Sequence, residues 1–178
     1  MERLSEQEQK DRFEQVVMPH LDAAYNLARW LTRNDHDAED VVQEAYLRAL
    51  RFFDGFRGGD ARAWLLKIVR NTCYTWLGQN RSRELATEFD EEIHSQEADA
   101  SSPEKLALQN ADGQIVRQAL EELPVEFRET LILREIDGLS YKEIAGVTGI
   151  SIGTVMSRLS RARQRLEKAL VNRAGKGR

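Results

Sequence analysis

Thr154, Ser157, Arg158, Arg161 and Arg165 recur at three- and four-residue spacing within SIGTVMSRLSRARQRL. On a helix that spacing gathers them onto one face. Hydroxyls and guanidinium groups presented together suit base edges and phosphates, and a helix N-terminus adds its own attraction for a phosphate. Arg163 and Lys168 supply further charge suited to a nucleic-acid backbone. A second group, Lys67, Arg70, Asn71 and Tyr74, continued by Arg81 and Arg83, interleaves cations with an amide and an aromatic ring. That mixture fits single-stranded or distorted nucleic acid, where bases stack on rings or leave the helix. Phe56 and Arg57 precede it in the glycine-rich run FDGFRGGD. A third group, Asp37, Asp40, Gln43 and Glu44, falls on one face of a helix. It reads either as a solvated surface whose first residues favour the helix dipole or as a docking face for a basic partner helix.

Other chemistries are not supported. No paired carboxylates in a plausible pocket, phosphate-binding loop or nucleophile with a base can be found, so no enzyme is expected. His20, His36, His94 and Cys73 do not form a metal-ligand spacing, and no cofactor is expected. A single cysteine excludes an intramolecular disulfide, and Cys73 reads as a small buried residue. Trp64 and Trp76 read as core. No apolar run approaches the roughly 20 residues that span a bilayer. The start, MERLSEQEQKDRFEQ, lacks the apolar centre of a secretory signal, so a cytoplasmic protein without membrane insertion is expected.

Helices must position these groups. Glycine and proline are sparse and apolar residues recur at helical spacing, so the fold is expected to be all-α, as two small helical domains. Residues 20–33 turn Leu21, Ala24, Tyr25, Ala28 and Leu31 inward. The next helix uses Val41, Val42, Ala45, Leu47, Leu50 and Phe53 as its apolar side. Gly55, Gly58 and Gly59 then make a mobile loop, and Asp60 caps a helix with Leu65, Val69, Thr72 and Trp76 inward. Further on, residues 106–122 carry Ile115, Ala119 and Leu120, followed by Leu123 and a stop at Pro124. Residues 125–137 carry Phe127, Leu131 and Ile136 and end at Asp137-Gly138. Ser140 and Glu143 form a capping box, Gly149 suits a tight left-handed turn, and Ser151 caps the last helix. With Val155 at the junction and Ile144, Ile150, Leu159, Ala162 and Leu166 beneath, the last pair reads as a helix-turn-helix.

The net charge of −4 conceals an uneven distribution. Residues 57–83 hold six basic residues and one acidic, and residues 138–178 hold nine and two. Between them, Glu84 to Glu104 has eight acidic residues and no basic one. Screening limits each patch to a reach of about 8 Å, so local charge governs attraction to phosphate. The acidic stretch reads as a flexible linker over 84–105, separating domains at 10–83 and 106–172.

Three segments, DAEDVVQEAYLRAL, FRGGDARAWLLKIVRNTC and the long run from LPVEFRETL to RARQRL, together resemble bacterial RNA polymerase sigma factors of the extracytoplasmic-function type. The resemblance to this group of the sigma-70 family covers about residues 10–172. It implies that Asp37, Asp40, Gln43 and Glu44 dock on the clamp helices of the polymerase largest subunit. It also implies that Phe56, Arg57, Lys67, Arg70, Asn71, Tyr74, Arg81 and Arg83 recognise and melt a −10 promoter element. Thr154, Ser157, Arg158, Arg161 and Arg165 would then read a −35 element, with the linker running towards the RNA exit channel. An anti-sigma protein is the implied inhibitor. Two positions depart from the family: Tyr74-Thr75-Trp76 and Leu77-Gly78-Gln79 replace an aspartate and an arginine-rich run, and Met156 stands where lysine is common. The other reading is a stand-alone helix-turn-helix regulator that binds operator DNA as a dimer.

Overall fold

Ser5 opens the first helix, α1 (Glu6–Val17), with a capping box. Its hydroxyl accepts from the Glu8 N–H, and the Glu8 carboxylate accepts from the Ser5 N–H. The Ser5 N–H foremost, and the Ser5 hydroxyl donating to the same carboxylate at 3.0 Å, hold the Glu8 carboxyl below its ordinary range. A computed structural model describes residues 4–86 and 111–177, with side chains described for 4–80 and 111–177. Among the described residues every regular element is helical.

Helices α2 (Leu21–Thr32), α3 (Asp35–Phe52) and α4 (Ala61–Ala86) pack on one another, and α1 adds Phe13 and Val17 to their core. Alanines 24, 28, 38, 45 and 49 are all buried, which lets the helix backbones approach closely. Leu27, Leu31, Val41, Leu65, Leu66 and Val69 fill the remaining space. The α2–α3 junction is tight. Arg33 takes a left-handed φ of 60°, and Asn34 Oδ1 accepts from the Asp37 N–H at 3.0 Å to start α3.

Leu47 and Leu50 do not enter this core; they are 65% and 45% exposed. The buried stripe of α3 instead runs Ala38, Val41, Ala45, Ala49 and on to Phe53, so small residues occupy positions where larger ones were expected. Leu47 lines a shallow apolar recess with Leu21, Val42, Gln43 and Tyr46. Helix α4 keeps Leu65, Val69 and Thr72 buried as expected, with Leu66 and Cys73 beside them, while Trp64 and Trp76 are half-buried. It extends through Ala86, three residues into the span expected as linker; residues 87–110 lie outside the described residues.

The second unit contains α5 (Ala111–Glu121), α6 (Val125–Leu131), α7 (Tyr141–Thr148) and α8 (Ile152–Lys176). Helix α6 runs directly into a π-helical turn at Ile132–Ile136, where the Asp137 N–H reaches back five residues to the Ile132 carbonyl. The wider turn shifts the phase of the helix. Ile132 and Leu133 become buried, and Ile136, expected inward, is left at the surface. Ile115 is likewise at the surface, whereas Ala119, Leu120 and Leu123 are buried. Gly138, with φ of 67°, completes the exit, and the Leu139 N–H closes on the Leu133 carbonyl.

Arg128 is buried beneath these helices. Its Nη1 donates to the Glu121 and Leu123 carbonyls at 3.0 and 2.9 Å, at the C-terminal end of α5. The last carbonyls of a helix have no following turn of N–H groups to accept from, and here the guanidinium supplies donors in place of a cap. The helix-turn-helix follows the expected chemistry. Ser140 and Glu143 form their reciprocal pair at 3.1 Å each, and Gly149 turns the chain at φ of 74°. Ser151 starts α8 by accepting from the Thr154 N–H at 3.2 Å, and Val155 is fully buried at the junction.

A Cβ at Gly149 would meet no neighbouring atom, so backbone conformation alone demands glycine. Gly149→Ala is therefore expected to destabilise the second unit by about 1–2 kcal/mol, the cost of the left-handed conformation. Thermal unfolding followed through that unit checks this; an unchanged midpoint would mean the turn relaxes without cost.

Candidate nucleic-acid interface

The acidic group lies on the first three turns of α3. Asp37 is half-buried, and its carboxyl is pushed above the ordinary range, first by burial and then by the neighbouring Asp40 carboxylate, with His36 opposing. Asp40, Gln43 and Glu44 are exposed. Glu44 is shared with Arg48, whose Nη2 lies 2.5 Å from its Oε1. That partner was legible from the i,i+4 spacing but was not anticipated. Exposed pairs of this kind contribute little to stability, so the face remains available to a stronger cation.

Between α3 and α4 the chain turns through Gly58 and Gly59 at φ of 93° and 98°, which other residues adopt only with strain. Asp60 closes the loop by accepting the Ala63 N–H at 3.1 Å. Phe56, singled out from sequence as a nucleic-acid contact, is half-buried. Its ring stacks on Phe53 at 5.9 Å and leans on Trp64 at 5.1 Å, and Phe53 in turn meets Phe13 edge-on at 5.2 Å. Three rings therefore anchor the loop to the core from inside. Arg57 is exposed at the loop's crest.

On α4 the structure brings Arg70, Asn71 and Tyr74 together. The Arg70 guanidinium lies 3.9 Å from the Tyr74 ring centroid, and its Nη1 donates to Asn71 Oδ1 at 3.4 Å. A cation laid over an aromatic face orients both groups at one surface. Lys67 is exposed one turn earlier. Arg81 and Arg83 lie in the final turns of α4, beyond the described side chains.

Of the α8 group, Thr154, Ser157, Arg161 and Arg165 are exposed and Arg158 is half-buried. The two hydroxyls are engaged within the helix start: Thr154 Oγ1 pairs with Ser151 Oγ at 2.9 Å, and Ser157 Oγ donates to the Thr154 carbonyl at 3.1 Å. Arg165 lies over the Phe127 ring at 4.7 Å, and Arg163 reaches Glu135 at 2.8 Å. These contacts join positions far apart in sequence. They turn two of the arginines towards the flank of the helix and leave Arg161 facing outward. Among the described residues, no group of three or more histidine, cysteine or acidic side chains is placed to hold a metal, and no helix is long and apolar enough to cross a membrane.

Known proteins resemble this chain in sequence and fold. The family model for Sigma-70 region 2 matches residues 16–83, and that for Sigma-70 region 4 matches residues 113–166. The ECF RNA polymerase sigma-E factor of Escherichia coli K12 is 41% identical over 138 residues, covering 74% of this chain and 72% of that protein. The ECF RNA polymerase sigma factor SigE of Mycolicibacterium smegmatis is 35% identical over 158 residues. That match covers 89% of this chain, which spans 61% of the length of SigE. Among solved structures, the sigma factor RpoE of Bartonella quintana, in complex with the anti-sigma factor NepR, superposes with a TM-score of 0.71. It is 33% identical, with 89% of this chain and 96% of that one covered. CnrH in complex with the cytosolic domain of CnrY gives a TM-score of 0.64 at 27% identity, with 92% and 90% covered.

Proposed function

Since the chain belongs to the extracytoplasmic-function type of the sigma-70 family, we propose that it is a promoter-specificity subunit of bacterial RNA polymerase, acting in the cytoplasm. It carries no chemistry of its own; it places the polymerase. The acidic face of α3, with Asp37, Asp40, Gln43 and Glu44, docks on the clamp helices of the largest subunit. The loop at 56–59 and the Arg70, Asn71 and Tyr74 cluster receive the −10 element, Asn71 and the loop holding a base flipped from the non-template strand. Lys67, Arg57, Arg81 and Arg83 hold the surrounding phosphates. Helix α8 enters the major groove of the −35 element with Thr154, Ser157, Arg158, Arg161 and Arg165.

One observation carries this reading. An acidic face and a cation–aromatic cluster occur in the first unit of a chain whose second unit contains a helix-turn-helix. A stand-alone regulator would need the second unit only. The reading is tested by adding purified chain to core polymerase and measuring initiation from genomic promoters. Polymerase-dependent initiation at a defined set is expected, and duplex binding by the chain alone with no polymerase association would overturn it. The relative solved in complex with an anti-sigma factor supports a similar inhibitor here.

Within this scheme Arg161 reads a base and Lys168 holds the backbone. Arg161→Ala should cost about 1–3 kcal/mol at one base pair and relax the preference there. Lys168→Ala should weaken every duplex alike and lower the salt dependence by about one unit of slope. Binding of −35 duplexes across a salt series separates the two.

A further inference from the structure

Four large apolar side chains occur in the first two turns of α8: Ile152, Val155, Met156 and Leu159. Val155 and Leu159 are buried in the helix-turn-helix core. Ile152 and Met156 are not; they are 46% and 53% exposed. Four residues apart, they lie side by side on the helix surface. They occupy the same turns as Thr154 and Ser157, at the end of the helix that a helix-turn-helix presents to base edges.

Gly153 stands between them. A Cβ there would meet only Ser151 Oγ, at 4.0 Å, so nothing within the protein calls for glycine. Glycine inside a helix costs about 1 kcal/mol relative to alanine. Its effect at this position is to keep the surface low one turn before Met156 and Ser157, which lets another molecule come close. The neighbouring hydroxyls are already bonded to the helix start, through Ser151 and the Thr154 carbonyl. Each hydroxyl keeps acceptor capacity for a base edge, and beside them Ile152 and Met156 give these turns an apolar reach, with Arg158 and Arg161 alongside for phosphate and polar base edges.

The major groove offers one apolar group, the 5-methyl of thymine. Methionine is unbranched and polarizable, and adapts to such a contact. A lysine at the same place would seek a guanine edge or a phosphate. We infer that Met156, supported by Ile152, reads a thymine methyl in the −35 element and so makes one A·T pair a determinant of promoter choice. This rests on the reading of α8 as the −35 helix given above.

The test uses the full-length chain assembled on core polymerase to select duplexes from a library randomised across the −35 region. Each thymine of the selected sequence is then replaced by deoxyuridine, which lacks only the methyl group. Deoxyuridine at one position should weaken binding about fourfold, the value of one buried methyl. In Met156→Ala the two bases should bind equally and selection at that position should relax, while Met156→Leu should keep most of the discrimination. Methyl sensitivity that is absent from every thymine, or that persists in Met156→Ala, overturns the inference. So does a Met156→Ala loss that is uniform over all sequences, which would assign the side chain to a backbone or polymerase contact. A selection that returns no −35 preference, even with the unaltered chain, would overturn the promoter reading itself and this inference with it.

Discussion

The double variant Asp40→Arg/Glu44→Arg is expected to bind core polymerase at least about 100-fold more weakly than the parent chain. Bringing like charges together across an interface costs several kcal/mol, and each substitution replaces attraction with repulsion. Both side chains are exposed, and neither lies in the first turn of α3, where Asp35 and Asp37 complement the helix dipole. Folding should therefore be nearly unaffected. Loss of the Glu44–Arg48 pair costs only a few tenths of a kcal/mol and leaves Arg48 adding to the repulsion. Titration of labelled chain into core polymerase at two salt concentrations measures the effect, and the deficit should shrink at the higher salt. Undiminished binding by the variant would move the docking surface away from this face.

Arg128→Met should unfold the second unit at a much lower temperature while sparing the first. Arg128 is 3% exposed, and its guanidinium supplies donors to two carbonyls at the end of α5, beside the fully buried Glu129. Methionine has similar length but no donor. Hydrogen bonds to a charged group are each worth about 1.5–3 kcal/mol, and stranding their buried partners adds to the loss. A destabilisation of about 3 kcal/mol corresponds to a fall of roughly 12–24 °C in the midpoint of a unit of this size. Calorimetry of the whole chain should show the second transition moving and the first unchanged. Polymerase docking through α3 should survive at temperatures where −35 recognition has been lost. A single shared shift would mean that the two units melt together.

What could be foreseen from sequence follows the range of each interaction. Ser140 with Glu143, Gly149 and Ser151 act within one helical turn, and each stands where its residue type predicted. In α2, Ala24, Ala28 and Leu31 are buried as read, but Leu21 and Tyr25 are half-buried and Leu27 and Trp30 complete the stripe; in α4, Leu65, Val69 and Thr72 are buried as read and Trp76 is half-buried. Helix α3 was misread at Leu47 and Leu50 because its buried stripe is built from alanines, which carry almost no signal in a hydropathy pattern. Ile136 was misplaced because a π-helical turn adds a residue to the period, and nothing local announces that turn. In the candidate site the outward face of α8 could be read from spacing alone. The pairing of Arg165 with Phe127 and of Arg163 with Glu135 could not, since each spans about thirty residues or more. Phe56 shows the same limit: a ring in a glycine loop suggests exposure, and only the fold supplies the Phe53 and Trp64 that hold it.

That anchored ring has a consequence for the entropy and speed of base capture. Phe56 fixes one end of the loop and the Asp60 cap fixes the other, leaving Arg57, Gly58 and Gly59 as the residues able to rearrange. Immobilising a residue's backbone costs about 1–2 kcal/mol, so ordering this segment around a base costs at most about 3–6 kcal/mol. A loop loose from Gly55 onward would lose more. Segments this short sample their conformations in nanoseconds to microseconds. In its proposed role the loop would reset many times during a single slow opening of a duplex, and would close on an emerging base with a smaller ordering penalty than a loop free from Gly55 onward.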